Sequence, residues 1–468
     1  MLSCVVSILM LIAVVFGRII GIIIPIECAP MLERLTVQAY VEGQWHDAMT
    51  LSLPAGQQTL ESHCSASYVQ SYLLDFVDEM ETRFEPAVSA GLPLSWAHFD
   101  SKGFPPFVYD IMPSGAARRS LVSQFGGEKP EGMAMDLFLL ARYAPSPIGH
   151  LRIRESVEHI GQPEVAIFTR RDLVERANRL VEYGDSPGSI LRGATGAHGD
   201  SPKVLLVEDA SGRLHPDALL PDELARRHWL VKFARNEVSD LDKDILRSEY
   251  HYYKAAAQLG LNTIAMDGLV LEEAERPSLW MPRFDRHIDR GVVERVPVES
   301  IYSVCGNVAP GSGMAHEEVL RCLLRLWRAN SQDGELEDLV LEYLQRDLLN
   351  RILGNSDNHG RNMAIFRRQG RFELSPIYDL APMVLDPQGI TRVTKWEGER
   401  MGAPDWRAVC GRFPGLIRED ILFERLRRVA ETFRALPDLL NKLPTVVKHS
   451  QSIPLNNLDE HLKKWGLR

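Results

Sequence analysis

The chain has 468 residues, 45% of them apolar and 25% charged, with a formal net charge of −10. That composition is ordinary for a soluble globular protein, and the length exceeds one typical core, so two or three domains are expected. The acidic balance excludes a chain-wide basic footprint for nucleic acid. Cys4, Cys28, Cys64, Cys305, Cys322 and Cys410 are scattered without a C-x-x-C pair, which speaks against a zinc site or a disulfide framework and fits a reducing compartment.

Residues 1–26 are almost wholly apolar, with Arg18 their only charge. Three readings compete: a membrane anchor, a signal peptide, and an upstream extension with translation starting at Met31. The length suffices to span a bilayer. A signal peptide would need a basic n-region and a small-residue cleavage site, and Glu27-Cys28-Ala29-Pro30 is a poor one. Met31 opens an amphipathic strand, Leu35–Val41. The extension is therefore the favoured reading and a cytoplasmic location the expectation, with an inner-membrane anchor through residues 1–26 as the alternative.

From 31 to 155 the pattern is mixed. Tyr40–Trp45 reads as a hairpin tip, and Phe107–Gly115 leads into a helix carrying Arg118 and Arg119. Pro145–Gly149 is loop-like and marks a domain edge. From 156 to 290 a Gly-rich stretch, Gly193–Lys203, precedes strands at Val204–Val207 and Trp229–Phe233. A helix over Ile245–Leu259 and short strands near Leu269–Leu271 and Leu279–Met281 follow. From 291 to 468 the pattern is helical. Leu336, Leu339, Val340, Tyr343, Leu344, Leu348 and Ile352 recur at three- and four-residue steps, one apolar stripe of a helix. The expected fold class is α+β: a kinase-like bilobal arrangement of a small mixed lobe and a larger helical C-terminal lobe, with residues 31–155 an extra N-terminal α/β subdomain and residues 1–30 an apolar leader.

The helix ending near Ile352 runs into Asn355-Ser356-Asp357-Asn358-His359-Gly360-Arg361-Asn362. Strand candidates Met363–Phe366 and Arg371–Leu374 come next, then Tyr378-Asp379. Asp and Asn in a loop are ordinary turn residues. Here the spacing equals the D-x-x-x-x-N of a protein-kinase catalytic loop, and a second Asp follows a hairpin. In that arrangement Asp357 orients the attacking hydroxyl, while Asn362 and Asp379 hold magnesium on the phosphates. Lys232, between apolar neighbours in a strand, is either a solvent-face residue or a phosphate-contacting lysine. Glu249, placed at the start of the next helix, is its candidate acidic partner. Gly196 and Gly199 would let backbone N–H groups approach phosphate, and Lys203 adds a charge. Arg283 and Phe284 fall where an interlobe hinge would meet an adenine edge. His359, two positions after Asp357, is either an exposed loop histidine or a γ-phosphate contact.

These stretches together resemble the HipA-like serine/threonine kinases, the toxin members of bacterial type II toxin–antitoxin systems. The resemblance rests on Phe107–Arg119 with its Asp110–Gly115 core, Pro147–Arg152, Ser201–Leu206, Trp229–Phe233, Ser248–Leu261, Arg283–Arg286, Asp357–Asn362 and Tyr378-Asp379, in that order. It implies ATP- and magnesium-dependent phosphorylation of a protein Ser or Thr. Asp357 would be the base, Asn362 and Asp379 the metal ligands and Lys232 the phosphate lysine, with Tyr378 and His359 lining the nucleotide. Family members can phosphorylate a serine in their own Gly-rich loop, and Ser189, Thr195 and Ser201 lie near that place. The implied target is a translation protein such as an aminoacyl-tRNA synthetase. The implied partner is a separate helix-turn-helix antitoxin, with no direct nucleic-acid contact by this chain. A small-molecule phosphotransferase and a regulatory pseudokinase are the alternative readings.

Overall fold

The computed structural model describes residues 32–53, 59–161, 167–175, 199–235, 238–309, 311–400 and 403–468, preceded by the backbone of two paired strands, Leu11–Val15 and Arg18–Ile22. The expectation for residues 1–30 otherwise lies outside the described residues, as do Ser189, Gly193, Thr195 and Gly196. Among the described residues no helix is long and apolar enough to cross a membrane.

In the first unit Leu35, Val37, Ala39 and Val41 alternate along β1 (Arg34–Val41) and enter one core. The chain turns at Glu42 and Gly43 into β2 (Gln44–Ser52), as the hairpin reading expects. β3 (His63–Tyr68) and β4 (Phe99–Lys102) extend the sheet on one side. After helices α1 (Gly115–Phe125) and α2 (Met135–Tyr143), β5 (Leu151–Ile153) returns to the free edge of β1, giving the antiparallel order β4-β3-β2-β1-β5. Pro145–Gly149 is thus a loop inside the unit, which runs on through α3 (Arg154–Ile160).

The second unit is a five-stranded antiparallel sheet in the order β9-β10-β8-β6-β7. Its strands are β6 (Lys203–Asp209), β7 (Leu214–Pro216), β8 (Ala225–Phe233), β9 (Val270–Glu272) and β10 (Ser278–Pro282). Trp229, Val231 and Phe233 pack on one face with Trp280, so the period of two turns Leu230 and Lys232 to the other. Helix α4 (Asp240–Gln258) covers that second face. It begins earlier than the apolar pattern suggests. Ser239 and Asp242 form a reciprocal capping box, an S-x-x-D signal that supplies two otherwise orphaned N–H groups. Glu249 consequently sits in the middle of the helix, not at its start.

The last unit is helical around a three-stranded sheet, β11 (Val298–Ser300), β12 (Ala364–Arg368) and β13 (Arg371–Leu374), in that order. α5 (Ile301–Val304), α6 (His316–Ala329), α7 (Leu336–Leu353) and α8 (Glu419–Phe433) surround it. All seven residues of the expected stripe on α7 are buried in the largest core. The apolar face, not propensity, stabilises a helix of this kind.

The first and last units are fastened by buried polar groups. Arg367 of β12 is fully buried. Its guanidinium donates to the carbonyls of Arg83, Phe84 and Ala87 at 3.0, 3.1 and 2.8 Å and to that of Val88 at 3.3 Å. Glu299 of β11 accepts from Ser89 Oγ at 2.6 Å and from the Ala90 N–H at 2.7 Å. Asp110 accepts from the Ser300 N–H at 2.8 Å and from its hydroxyl at 2.7 Å. Burial pushes the Asp110 carboxyl up to about 6, although the Ser300 bonds pull the other way.

Replacing Arg367 by Met keeps most of the stem's volume and removes every one of those donors. The variant is expected to lose about 3 kcal/mol, because buried carbonyls and Glu299 are left without the cation. Denaturant unfolding measures this, and a change under about 0.5 kcal/mol would show that the clamp does not hold the units together.

Candidate active site

Lys232 reaches the face of β8 covered by α4, and there it is almost fully buried. Its Nζ donates to Glu249 Oε2 at 2.6 Å and to Asp379 Oδ1 at 2.8 Å. Lys203, at the first position of β6, donates to Asp379 Oδ2 at 3.1 Å. Tyr253, one turn beyond Glu249, donates to Glu249 Oε1 at 2.8 Å. Two ammonium groups and two carboxylates therefore share one cluster, in which Lys232 and Glu249 are buried and Asp379 is partly exposed. Burial is the largest influence on Lys232 and would lower its pKa, but Asp379 and Glu249 outweigh it and raise it above the ordinary lysine value. Burial would likewise raise Asp379, and Lys203 and Lys232 outweigh it and hold the carboxyl far below the ordinary range.

Asp379 has φ +49°, in the left-handed region. Asp is among the few side chains that tolerate it, and an outlier here is the kind of local strain found at functional sites.

The catalytic-loop candidate is held by amides. Asn355, buried after the end of α7, donates to Asn350 Oδ1 at 3.0 Å and to the Asp379 carbonyl at 3.1 Å, and its own oxygen accepts from the Asp357 N–H at 3.3 Å. Asn358 donates to the Thr394 carbonyl at 2.7 Å and accepts from the Val393 and Thr394 N–H groups at 3.1 and 3.3 Å. Asn362 Nδ2 donates to the Asp357 carbonyl at 2.7 Å, so its amide oxygen is the atom left for a cation. Tyr378 donates from its hydroxyl to the Arg361 carbonyl at 2.7 Å. His359 places Nε2 3.4 Å from Asp357 Oδ1 and stacks on Tyr302. A Cβ on Gly360 would lie 2.3 Å from the Tyr302 ring, so the close approach admits only glycine.

Asp357, His359, Asn362 and Tyr378 line one cavity together with Asn350 and Asn355. Asn355 and the Tyr378–Arg361 bond join that cavity to the lysine–carboxylate cluster. Phe284 stacks on Tyr378, with ring centroids 5.4 Å apart. Gly199 adjoins Lys203, while Gly196 lies outside the described residues.

Arg283 follows the end of β10, and its side chain is wholly buried. It donates to Asp217 at 2.8 Å, to Asp285 at 2.9 and 2.6 Å, and to the Pro147 carbonyl at 3.2 Å. Arg283, Phe284 and Asp285 lie in the turn past the end of β10, where Phe284 stacks on Tyr378 and Arg283 bonds Asp285. A buried guanidinium needs carboxylates, and Asp217 and Asp285 supply them. Sequence reading missed Asn355 and Asn358. Both stood inside the motif, but their bonds reach Asp379 and Thr394, residues that only the tertiary fold brings near.

The model of the HipA-like C-terminal domain matches residues 195–436, a little over half of the chain, and the chain belongs to that family. Y4mE of Sinorhizobium fredii (strain NBRC 101917 / NGR234), provisionally named a kinase, is 26% identical over 171 residues, 34% of this chain and 39% of that protein. The chain thus spans about two fifths of the length of the curated relative it matches. Among solved structures, one from the Shewanella oneidensis MR-1 toxin–antitoxin system, HipA with HipB and operator DNA, aligns over 92% of this chain and 96% of that chain, with a TM-score of 0.55 and 16% identity. That likeness concerns the fold.

The cluster makes stability depend on pH in a defined sense. A depressed carboxyl contributes stability above its unfolded value, about 3.9, which is lost as pH falls through the folded value. A raised lysine contributes below its unfolded value, about 10.4, and the contribution is lost as pH rises through the folded value. Asp379→Asn is expected to cost roughly 1–3 kcal/mol near neutral pH. The gap to the native chain should begin to close below about pH 4, and paired unfolding curves would reveal a constant gap if the carboxylate is not paired.

Gly360→Ala should push Tyr302 or the loop aside and lower any activity of the site by about 100-fold. An alanine variant with native turnover would show that the loop's position is immaterial.

Proposed function

We propose that this chain is an ATP- and magnesium-dependent protein serine/threonine kinase and the toxin half of a toxin–antitoxin pair. The observation that carries the reading is Lys232 held between Glu249 and Asp379, beside a cavity lined by Asp357 and Asn362. Phosphoryl transfer asks for that set: a lysine positioned by a carboxylate, an aspartate for the acceptor hydroxyl, and an amide and a carboxylate for metal. The sheet with α4 and the helical unit then serve as the two lobes around the nucleotide.

The donor set fits magnesium. Asn362 offers an amide oxygen and Asp379 a carboxylate, and two protein ligands suit an ion completed by phosphate oxygens and water. Bound there, magnesium would neutralise charge on the phosphates. Both Asp379 oxygens are engaged by lysines, so holding a metal there would require one of these contacts to give way. Lys232 then places its charge on the phosphates while Glu249 keeps it oriented. Asp357 accepts the proton of the substrate hydroxyl at a carboxylate oxygen, and the His359 Nε2 beside it faces the same cavity.

The structurally similar HipA was solved with HipB and operator DNA. By analogy the partner of this chain is a DNA-binding antitoxin, and DNA contact is indirect. A target in translation rests on the family resemblance alone.

The test is transfer of labelled phosphate from ATP in the presence of magnesium and a bacterial lysate. Asp357→Asn should lower transfer by at least about 100-fold while ATP binding stays within about threefold, because the base does not grip the nucleotide. Lys232→Ala should weaken ATP binding itself. Label confined to small molecules would replace the protein-kinase reading by a small-molecule phosphotransferase. An Asp357→Asn variant of native activity would overturn it.

A further inference from the structure

The end of the Gly-rich stretch is gripped by the N-terminal unit. The Ala116 N–H, in the first turn of α1, donates to the Gly199 carbonyl at 3.1 Å. The contact requires Gly115, because a Cβ there would stand 2.1 Å from that same carbonyl oxygen, and φ at this position is +56°. Such a distance leaves no room for a side chain, and the neighbour is backbone, which cannot swing away.

Gly199 in turn lies against the amine of Lys203. A Cβ on Gly199, where φ is +107°, would come within 2.8 Å of Nζ. The line of contact therefore runs from the start of α1, through two side-chain-free positions, to the ammonium that bonds Asp379. A second line lies beside it. Arg119 donates to Asp200 Oδ1 at 2.8 Å and to the Asp200 carbonyl at 3.3 Å. Arg235 lies 3.8 Å from Asp200 and 3.1 Å from Asp386, which is buried seven positions beyond Asp379.

We propose that Gly115 and Arg119 of the N-terminal unit are positioning residues that set Gly199, Asp200 and hence Lys203 for nucleotide phosphate. This rests on the kinase reading and goes beyond it, since it gives the first unit a part in nucleotide binding without touching the nucleotide. Neither residue reaches the reacting atoms. Both act by fixing the backbone from which Lys203 springs.

The test compares full-length native chain with Gly115→Ala, Arg119→Glu and Arg119→Lys. Gly115→Ala should raise KM for ATP by about tenfold with kcat within about twofold, because the displaced loop misplaces a binding charge. Arg119→Glu should raise KM by a smaller factor that shrinks in high salt, since the pair with Asp200 is exposed. Arg119→Lys should restore native KM. Arg119 lies on the surface, so its variants decide the matter if Gly115→Ala does not fold. Folded Arg119→Glu with native KM at low salt overturns the proposal, as does a matched fall in kcat for both surface variants. If the native chain turns over no ATP, the kinase reading fails by itself. Amide hydrogen exchange at Asp200–Val204 then decides, faster exchange in Arg119→Glu supporting the positioning role and unchanged exchange overturning it.

Discussion

Lys232 is a cation inside a strand, and the arrangement around it follows from the cost of leaving it alone. An ammonium taken out of water loses several kcal/mol of hydration, which only close carboxylates recover. Glu249 must then face the sheet from the middle of α4. Asp379 must arrive from beyond β13, and it does so in a left-handed conformation. Lys203 closes the set, so that two positive and two negative groups balance. Replacing such a cluster with hydrocarbon would often stabilise a protein, so its presence argues for chemistry more than for stability. The Asp379 carboxylate is held at the junction between sheet and helical unit, where each of its oxygens takes a lysine contact.

A second constraint joins the units. The segment 83–90 presents carbonyls and N–H groups to the far unit, and Arg367 and Glu299 bond them from there. The buried set of Arg283, Asp285 and Asp217 does the same for Pro147, while Asp285 also takes the Gly149 N–H. Several stretches that carry the family resemblance thus turn out to be fasteners. Asp110 caps Ser300, Pro147–Gly149 meets the arginines, and Gly115 admits Gly199.

Residues whose role depends on neighbours close in sequence were legible. The stripe on α7 and the hairpin of β12 and β13 lie as their patterns indicate, since a 3.6- or 2-residue period follows from backbone geometry alone. Lys232 and Glu249 could be paired because a strand and the next helix are contiguous. The family was legible because its ordered stretches survive in this chain. The burial of the Arg283 side chain was not legible, because its partner Asp217 lies 66 positions away. Asn355 and Asn358 went unassigned for the same reason.

By itself, then, the amino-acid sequence determined the elements, the pairing of a strand lysine with a helix glutamate, and the placing of Asp357 and Asn362 in one loop, all set by local spacing and side-chain chemistry. Tertiary structure decided what those groups face. It brought Asp379 to two lysines, closed the loop with amides, turned Arg283 toward the first unit and laid Gly199 on Gly115. Each of these joins residues far apart in sequence, and such contacts form only when burial of the whole core pays the entropy of closing the chain between them.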